Sequence, residues 1–241
     1  MSSGPFIHKM NAKNERGFLV DKTEQAIEWM KQQKYEQAAK LFNEIIEQHP
    51  EDPLGYINFG NLLMHVNDLD RAMSFFNKAI EIDRQVPAGY YGLGNLYYEQ
   101  ENYPKAQENF QQAIELGLDV GDVYYMLGMS MNQQNLKALA IPYLQRAAEL
   151  DDNDEAKLFQ YGLTLAELNY LPEAKKVFED VLQINQQHSD AHYNLGVLAL
   201  YDENSTCALK HFTSALNHQP DHILAANGKE KVEALLREKN P

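Results

Sequence analysis

The sequence predicts an all-α fold in which pairs of helices stack into a solenoid, and three observations lead to this prediction. The first is a period of 34 residues, the spacing from Gly60 to Gly94, which recurs without insertion or deletion. The second is a small residue at two positions of the repeat: Gly60, Gly94, Gly128, Gly162 and Gly196 at one, and Ala38, Ala72, Ala106, Ala140, Ala174 and Ala208 at the other. The third is a large apolar residue one helical turn after each alanine: Phe42, Phe76, Phe110, Leu144, Phe178 and Phe212. Small residues let two helices cross closely and large ones fill the space beside the contact, so this period predicts packed helix pairs.

The clearest repeat, residues 87–120, contains two apolar stripes at helical spacing. Tyr90 to Tyr97 carries the first stripe and Ala106 to Ala113 the second. Apolar residues that recur three and four positions apart indicate one buried face of a helix. Asn102 and Pro104 interrupt the pattern, and proline is favoured in the first turn of a helix. Each repeat is therefore expected to consist of a helix, a tight turn and a second helix.

These features resemble the tetratricopeptide repeat family over about 200 residues, because the period, the small residues and the aromatic positions all agree. The resemblance implies a right-handed superhelical solenoid of six helix-turn-helix units with a C-terminal capping helix. The expected boundaries are a flexible tail at 1–18, repeats at 19–52, 53–86, 87–120, 121–154, 155–188 and 189–222, and the capping helix with a C-terminal tail at 223–241. The apolar face of the capping helix is predicted to consist of Ile223, Leu224, Val232, Leu235 and Leu236.

Repeats two to six each have an asparagine in the turn between their two helices. Asparagine tolerates the left-handed backbone conformation that ends many helices. We therefore expect a left-handed residue at Asn67, Asn102, Asn135, Asn169 and Asn204.

Charge and cysteine content limit the classes of function. The net charge is −14, and the six repeats by themselves carry −17. An acidic body repels the phosphate backbone of nucleic acids and attracts basic polypeptide, so we expect no nucleic-acid partner. The alternative is that the acidity serves solubility alone.

Cys207 is the single cysteine, which excludes an intramolecular disulfide and favours a reducing compartment. The chain contains no apolar run near the length of a membrane span and no secretory signal pattern, so a cytoplasmic protein without a membrane partner is expected.

The sequence offers no residue set for catalysis, a cofactor or a metal. We find no nucleophile with a base partner, and the cluster Gly89, Gly92 and Gly94 follows no predicted strand, so it does not fit a phosphate-binding loop. The pairs His188 with His192 and His218 with His222 have a four-residue spacing but lack a third fixed ligand. We therefore predict a protein that is not an enzyme and that holds no cofactor and no metal.

In the family that the sequence resembles, the first helix of each repeat lines a concave groove, and this resemblance assigns the candidate binding residues. They are Ile57, Asn61, Met64, Tyr91, Asn95, Tyr98, Glu99, Asp122, Tyr125, Met129, Phe159, Leu163, Tyr193, Val197 and Tyr201. Tyrosine offers apolar area with a polar tip and methionine adapts to varied shapes, so the set suits a peptide. The alternative is that about a third of these residues pack against a neighbouring repeat, because aromatic residues at helical spacing are usually core.

Asn61 and Asn95 occupy the same position of successive repeats, and two side-chain amides can together hold the backbone of an extended ligand. The carboxylate clamp of this family adds basic groove residues to such asparagines, whereas here only Lys31 is basic. We therefore expect another protein as the partner, bound as a peptide or helix with apolar anchors and basic residues, and a non-catalytic adaptor as the function. The alternatives are a self-associating structural module and, less favoured by the residues, a ligand-binding protein or enzyme with a groove pocket.

Overall fold

The computed structural model describes residues 22–239, so the predicted tail at 1–18 and the start of the first repeat lie outside the described residues. Within this range every regular element is a helix. The helices are α1 (22–31), α2 (Tyr35–Gln48), α3 (Pro53–His65), α4 (Leu69–Ile82), α5 (Pro87–Glu99), α6 (Tyr103–Glu115), α7 (Gly121–Gln133), α8 (Lys137–Leu150), α9 (Glu155–Glu167), α10 (Leu171–Ile184), α11 (Ser189–Tyr201), α12 (Ser205–His218) and α13 (Ile223–Lys239). The predicted all-α class, a solenoid of helical repeats, is confirmed. None of the helices within 22–239 is long and apolar enough to cross a membrane.

The chain divides into two compact units, one that ends at Asp119 and one that begins at Val120. In the first unit α3 packs on α4 and α5 on α6, and the contacts of α2 with α3 and of α4 with α5 join successive pairs. In the second unit the pairs are α7 with α8, α9 with α10 and α11 with α12, and α13 packs on α12 and α11. Contacts also join α3 with α5 in the first unit and α11 with α13 in the second.

The core of each repeat forms around the large residue of its second helix. Phe42, Phe76, Phe110 and Phe178 are fully buried, and Phe212 is 1% exposed. The first helix has a small residue opposite this ring: a Cβ added at Gly94 would lie 2.5 Å from Cε1 of Phe110, closer than any real contact. The prediction that Gly94 and Ala106 are small because the two helices approach closely is confirmed, and the group that Gly94 meets is the Phe110 ring.

The left-handed residue of each turn recurs every 34 residues, whereas the asparagines do not all keep to this period. The expected left-handed conformation is confirmed at Asn67, Asn135 and Asn169, whose φ angles are 61°, 60° and 62°. It is wrong for Asn102 and Asn204, which lie one residue later in the repeat and instead begin the second helix. Their side chains accept hydrogen bonds from the backbone N–H groups of Lys105 and Cys207. The left-handed residues of these two turns are Glu101 and Glu203.

The last helix, α13, buries only part of the predicted face. As expected, Val232 is fully buried and the half-buried Leu236 packs against the same core. Ala225 is also buried, and a Cβ added at the half-buried Gly228 would lie 2.9 Å from the Phe212 ring. The predicted face is wrong for Ile223, Leu224 and Leu235, which are 73%, 57% and 47% exposed. Small residues allow α13 to approach Phe212 closely, so the contact selects Ala225 and Gly228 rather than the largest side chains.

Candidate functional site

Two adjoining clefts lie on the first helices of the N-terminal unit. The first has a volume of about 300 Å³ and is lined by Ile27, Met30 and Lys31 of α1 and by Asn58, Asn61 and His65 of α3. The second has a volume of about 390 Å³ and is lined by Asn61, Met64 and His65 of α3, by Asn95 and Glu99 of α5, and by the turn between α3 and α4. Because Asn61 and His65 belong to both clefts, we treat them as one surface and call it the unit-1 groove.

Four of the predicted site residues, Asn61, Met64, Asn95 and Glu99, meet in the second cleft. The side chain of Asn61 is exposed and that of Asn95 is half-buried. Within residues 22–239 neither amide group hydrogen-bonds to another part of the chain. Both amides can therefore donate and accept hydrogen bonds toward a molecule in the cleft.

The first cleft adds residues that were not among the predicted ones, Ile27, Met30 and Asn58. Ile27 and Met30 stand 34 residues before Asn61 and Met64, so the period could have found them. The first repeat departs from the glycine pattern of the others, and this departure hides the correspondence. The three residues supply an apolar floor with one further amide.

Ile57 does not line the groove, so the prediction for this residue is wrong. Its side chain is 5% exposed and packs in the core of the N-terminal unit. The larger residues at the same position of other repeats contact the core ring of their own second helix: Tyr91 lies 5.8 Å from Phe110 and Phe159 lies 5.5 Å from Phe178, measured between ring centroids. Isoleucine is too short to reach past that contact to the surface.

Tyr98 is half-buried near the end of α5 and packs edge-on against Tyr103, the first residue of α6, at 5.3 Å between ring centroids. Burial raises the pKa of the Tyr103 phenol, and the nearby Glu101 carboxylate acts in the same direction. The contact orients the Tyr98 ring at the margin of α5, beside Glu99.

Asp122 of the C-terminal unit is tied to a buried lysine. Its carboxylate lies 2.6 Å from Nζ of Lys157, which also bonds to Asp151 and Asp154 and whose side chain is 9% exposed. Burial by itself lowers the pKa of Lys157, but the hydrogen bonds and charges of the three carboxylates outweigh it and raise the pKa. Asp122, predicted as a groove residue, therefore shares its negative charge with Lys157 and does not keep it free for a basic partner.

The remaining predicted residues of this unit form an apolar set. Met129, Leu163 and Val197 occupy the position of Asn61 and Asn95, so the paired amides have no counterpart here. The half-buried members of the set are Tyr125, Met129, Phe159, Leu163, Tyr193 and Val197. Tyr201 is 68% exposed and borders a cleft of about 270 Å³ between α10 and α11.

The histidines of the last repeat do not form the pairs that their four-residue spacing suggested. His192 Nε2 lies 3.2 Å from the carbonyl oxygen of Gln186, and His192 Nδ1 lies 3.2 Å from Nδ1 of His211. A carbonyl only accepts, so the Nε2 of neutral His192 carries the proton, and His211 Nδ1 donates to His192 Nδ1. His222 bonds instead to Asp190, at 3.1 Å. Residues 22–239 contain no group of three or more ligands that could hold a metal ion.

We expect the stability of the C-terminal unit to fall as this histidine pair takes up protons. Burial lowers the pKa of both His192 and His211, and neighbouring positive charge from Lys210 acts in the same direction. The folded state therefore binds fewer protons than the unfolded state, so stability decreases as the pH falls below 6.5, the ordinary histidine value. A proton added to Nδ1 of His192 would place that N–H group against the N–H group of His211 Nδ1.

Urea unfolding monitored on the C-terminal unit, between about pH 7.5 and about pH 5, measures this effect. The variant His192→Gln/His211→Gln should lose stability less steeply than the wild type, whereas His49→Gln in the other unit should follow the wild type. Parallel curves for the double variant and the wild type would contradict the interpretation.

The repeated helix pairs and the surface on their first helices define a helical repeat protein. Three sequence profiles, each described as tetratricopeptide repeat, match residues 30–93, 91–155 and 158–188. The chain belongs to the tetratricopeptide repeat (TPR) family.

Among known proteins the chain is similar to YrrB, a TPR repeat-containing protein of Bacillus subtilis (strain 168). A segment of 41 residues is 49% identical and spans 17% of this chain and 20% of that protein. A crystal structure of YrrB, described as "a TPR protein with an unusual peptide-binding site", superposes with a TM-score of 0.74 at 43% identity and covers 80% of this chain and 99% of that chain. The structure of PilF of Pseudomonas aeruginosa superposes with a TM-score of 0.75 over 88% of this chain and 97% of that chain; its 16% identity shows the fold alone.

Proposed function

We propose that the protein is a non-catalytic adaptor that binds a segment of another protein, as an extended peptide, in the unit-1 groove. The observation that carries the proposal is the pair Asn61 and Asn95, which line one cleft on adjacent helices without a hydrogen-bond partner in the described chain. A peptide backbone presents a donor and an acceptor at each residue, and a side-chain amide can satisfy both.

The spacing of the amides suits an extended chain. Packed helices lie about 8 to 10 Å apart, and an extended peptide advances about 3.3 Å per residue. One helix step therefore corresponds to about three peptide residues, and the two amides would hold backbone groups about three residues apart.

The rest of the surface suggests what the segment contains. Ile27, Met30 and Met64 offer apolar area for an anchor, while the exposed Glu99 favours a basic residue nearby. The peptide-binding site described for YrrB supports this class of function. A cytoplasmic location remains a prediction, supported by the single cysteine.

The proposal is tested by selection from a library of random dodecapeptides displayed on phage. We expect wild-type protein to enrich peptides with apolar anchors, and we expect the variant Asn61→Ala/Asn95→Ala to bind synthetic copies about tenfold more weakly, because each lost hydrogen bond costs about 0.5 to 1.5 kcal/mol. Fluorescence polarisation with the labelled peptides measures the change.

The chain contains a matched control for this experiment. Asn43 of α2 and Asn77 of α4 are also 34 residues apart and exposed, but they lie on second helices. The variant Asn43→Ala/Asn77→Ala should bind like the wild type. If both double variants bind equally, the groove is not the binding surface.

The second candidate function is self-association. A concentration series in sedimentation discriminates it from the adaptor: an adaptor stays monomeric without its peptide, whereas a self-associating module gains mass as the concentration rises. Loss of that gain in Asn61→Ala/Asn95→Ala would place a second copy of the chain in the groove.

A further inference from the structure

The unit-1 groove has a charge that changes sign from one end to the other. Lys31, His65 and Glu99 occupy the same position, in the last turn of α1, α3 and α5, at intervals of 34 residues. Lys31 lines the first cleft, His65 lines both, and Glu99 lines the second. The groove therefore has an ammonium group at the α1 end and a carboxylate at the α5 end.

Both end charges are unpaired within residues 22–239. Glu28, one turn before Lys31, accepts a hydrogen bond from Gln32 at 2.9 Å and forms no ion pair with Lys31. By contrast, Glu167 in the C-terminal unit, at the position of Glu99 in its own repeat, pairs with Lys137 at 3.0 Å. The unit-1 groove thus keeps both charges available to a ligand, while the comparable carboxylate of the other unit is already neutralised.

We propose that the segment bound in the unit-1 groove is bipolar, with a carboxylate near Lys31 and a basic side chain near Glu99. This inference rests on the function proposed above and adds the acidic end of the ligand. Two helix steps separate α1 from α5, a span of about 16 to 20 Å, which an extended chain covers in about five or six residues. The ligand is therefore an extended segment whose acidic and basic groups stand about five or six residues apart.

The two ends fix the register of the segment, and the floor between them supplies most of the affinity. Lys31 and Glu99 are exposed, so each ion pair contributes little and is screened by salt. Ile27, Met30 and Met64 form the apolar floor along the same path. The end charges thus select the direction and spacing of a segment that binds through apolar anchors and the two amides.

The test repeats the dodecapeptide selection on wild-type protein, on Lys31→Glu and on Glu99→Lys. Wild-type protein should enrich peptides with one acidic and one basic residue at the predicted spacing. Lys31→Glu leaves two acidic ends and should enrich peptides with two basic residues, whereas Glu99→Lys should enrich peptides with two acidic residues. Lys78→Glu and Glu81→Lys on α4, an exposed pair on a second helix, make the same changes in net charge and should leave the wild-type preference intact.

Synthetic copies of an enriched peptide give the second readout. Replacing its acidic residue by the matching amide should weaken binding to the wild type about threefold to fivefold at low salt and less at high salt, and should leave binding to Lys31→Glu unweakened. If the amide and acid peptides bind wild type equally, yet Asn61→Ala/Asn95→Ala still weakens binding about tenfold, the bipolar ligand is wrong and the proposed groove stands. If no peptide depends on Asn61 and Asn95, the proposed function fails and this inference fails with it.

Discussion

Replacing Phe76 by alanine is expected to lower the free energy of unfolding of the N-terminal unit by about 3 to 5 kcal/mol. Phe76 is fully buried, and its ring fills the space beside two glycines on neighbouring first helices. A Cβ added at Gly60 of α3 would lie 2.7 Å from this ring, and one added at Gly92 of α5 would also collide with it. Removing the ring would therefore leave a cavity between the two helices that carry Asn61 and Asn95.

Urea denaturation measures the loss, and hydrogen exchange of the α3 and α5 amides assigns it to the N-terminal unit. The control is Phe75→Ala, because Phe75 is the next residue on the same helix but is only half-buried, with its ring 4.6 Å from that of Phe59 between centroids. We expect this control to lose clearly less stability. Equal losses would mean that the packing at the glycine positions does not carry the stability of the unit.

Replacing Lys157 by methionine is expected to destabilise the C-terminal unit by about 2 to 3 kcal/mol. Methionine keeps the length and apolar stem of lysine but removes the charge that Asp122, Asp151 and Asp154 share. The three carboxylates, one on α7 and two in the turn that joins α8 to α9, would then repel one another. Their partial exposure keeps the cost below that of a fully buried triad.

The matched control is Lys175→Met. Lys175 also pairs with an aspartate, Asp202, at 3.0 Å, but both side chains are exposed, so the expected loss is at most about 1 kcal/mol. Thermal or urea unfolding of the three proteins at neutral pH measures the difference. A loss for Lys175→Met as large as that for Lys157→Met would show that burial of the lysine is not the cause.

Acid provides an independent check on the Lys157 cluster. Burial by itself raises the pKa of Asp154, but backbone and side-chain hydrogen bonds with Lys157 outweigh it and lower the pKa below 3.8. A carboxyl with a lowered pKa in the folded state contributes stability above its unfolded value, and this stability is lost as the pH falls through the folded value. The stabilities of wild type and Lys157→Met should therefore converge below about pH 4.

Part of the candidate site could be predicted from the period together with the groove-lining first helices of the family that the sequence resembles. Asn61 and Asn95 stand at one position of adjacent repeats, and stacked first helices bring such positions together. Ile57 and Asp122 stand at groove positions as well, yet Ile57 is buried and Asp122 is paired. Position in the repeat gives the face of the helix, whereas side-chain length and the nearest opposite charge decide which groups remain available to a ligand.

The sequence by itself determined the repeat and the ends of its helices, because these depend on local patterns. Helices begin at Pro53, Pro87, Gly121, Glu155 and Ser189, the positions where the predicted repeats start. Only the tertiary structure decided that Lys157 gathers three aspartates, that His192 pairs with His211, and that α13 buries Ala225 and packs Gly228 against Phe212 while Ile223 stays exposed. These contacts bring different helices together, as Lys157 of α9 does with Asp122 of α7, so their geometry depends on how closely the helices approach. That distance is set by packing rather than by the period of the sequence.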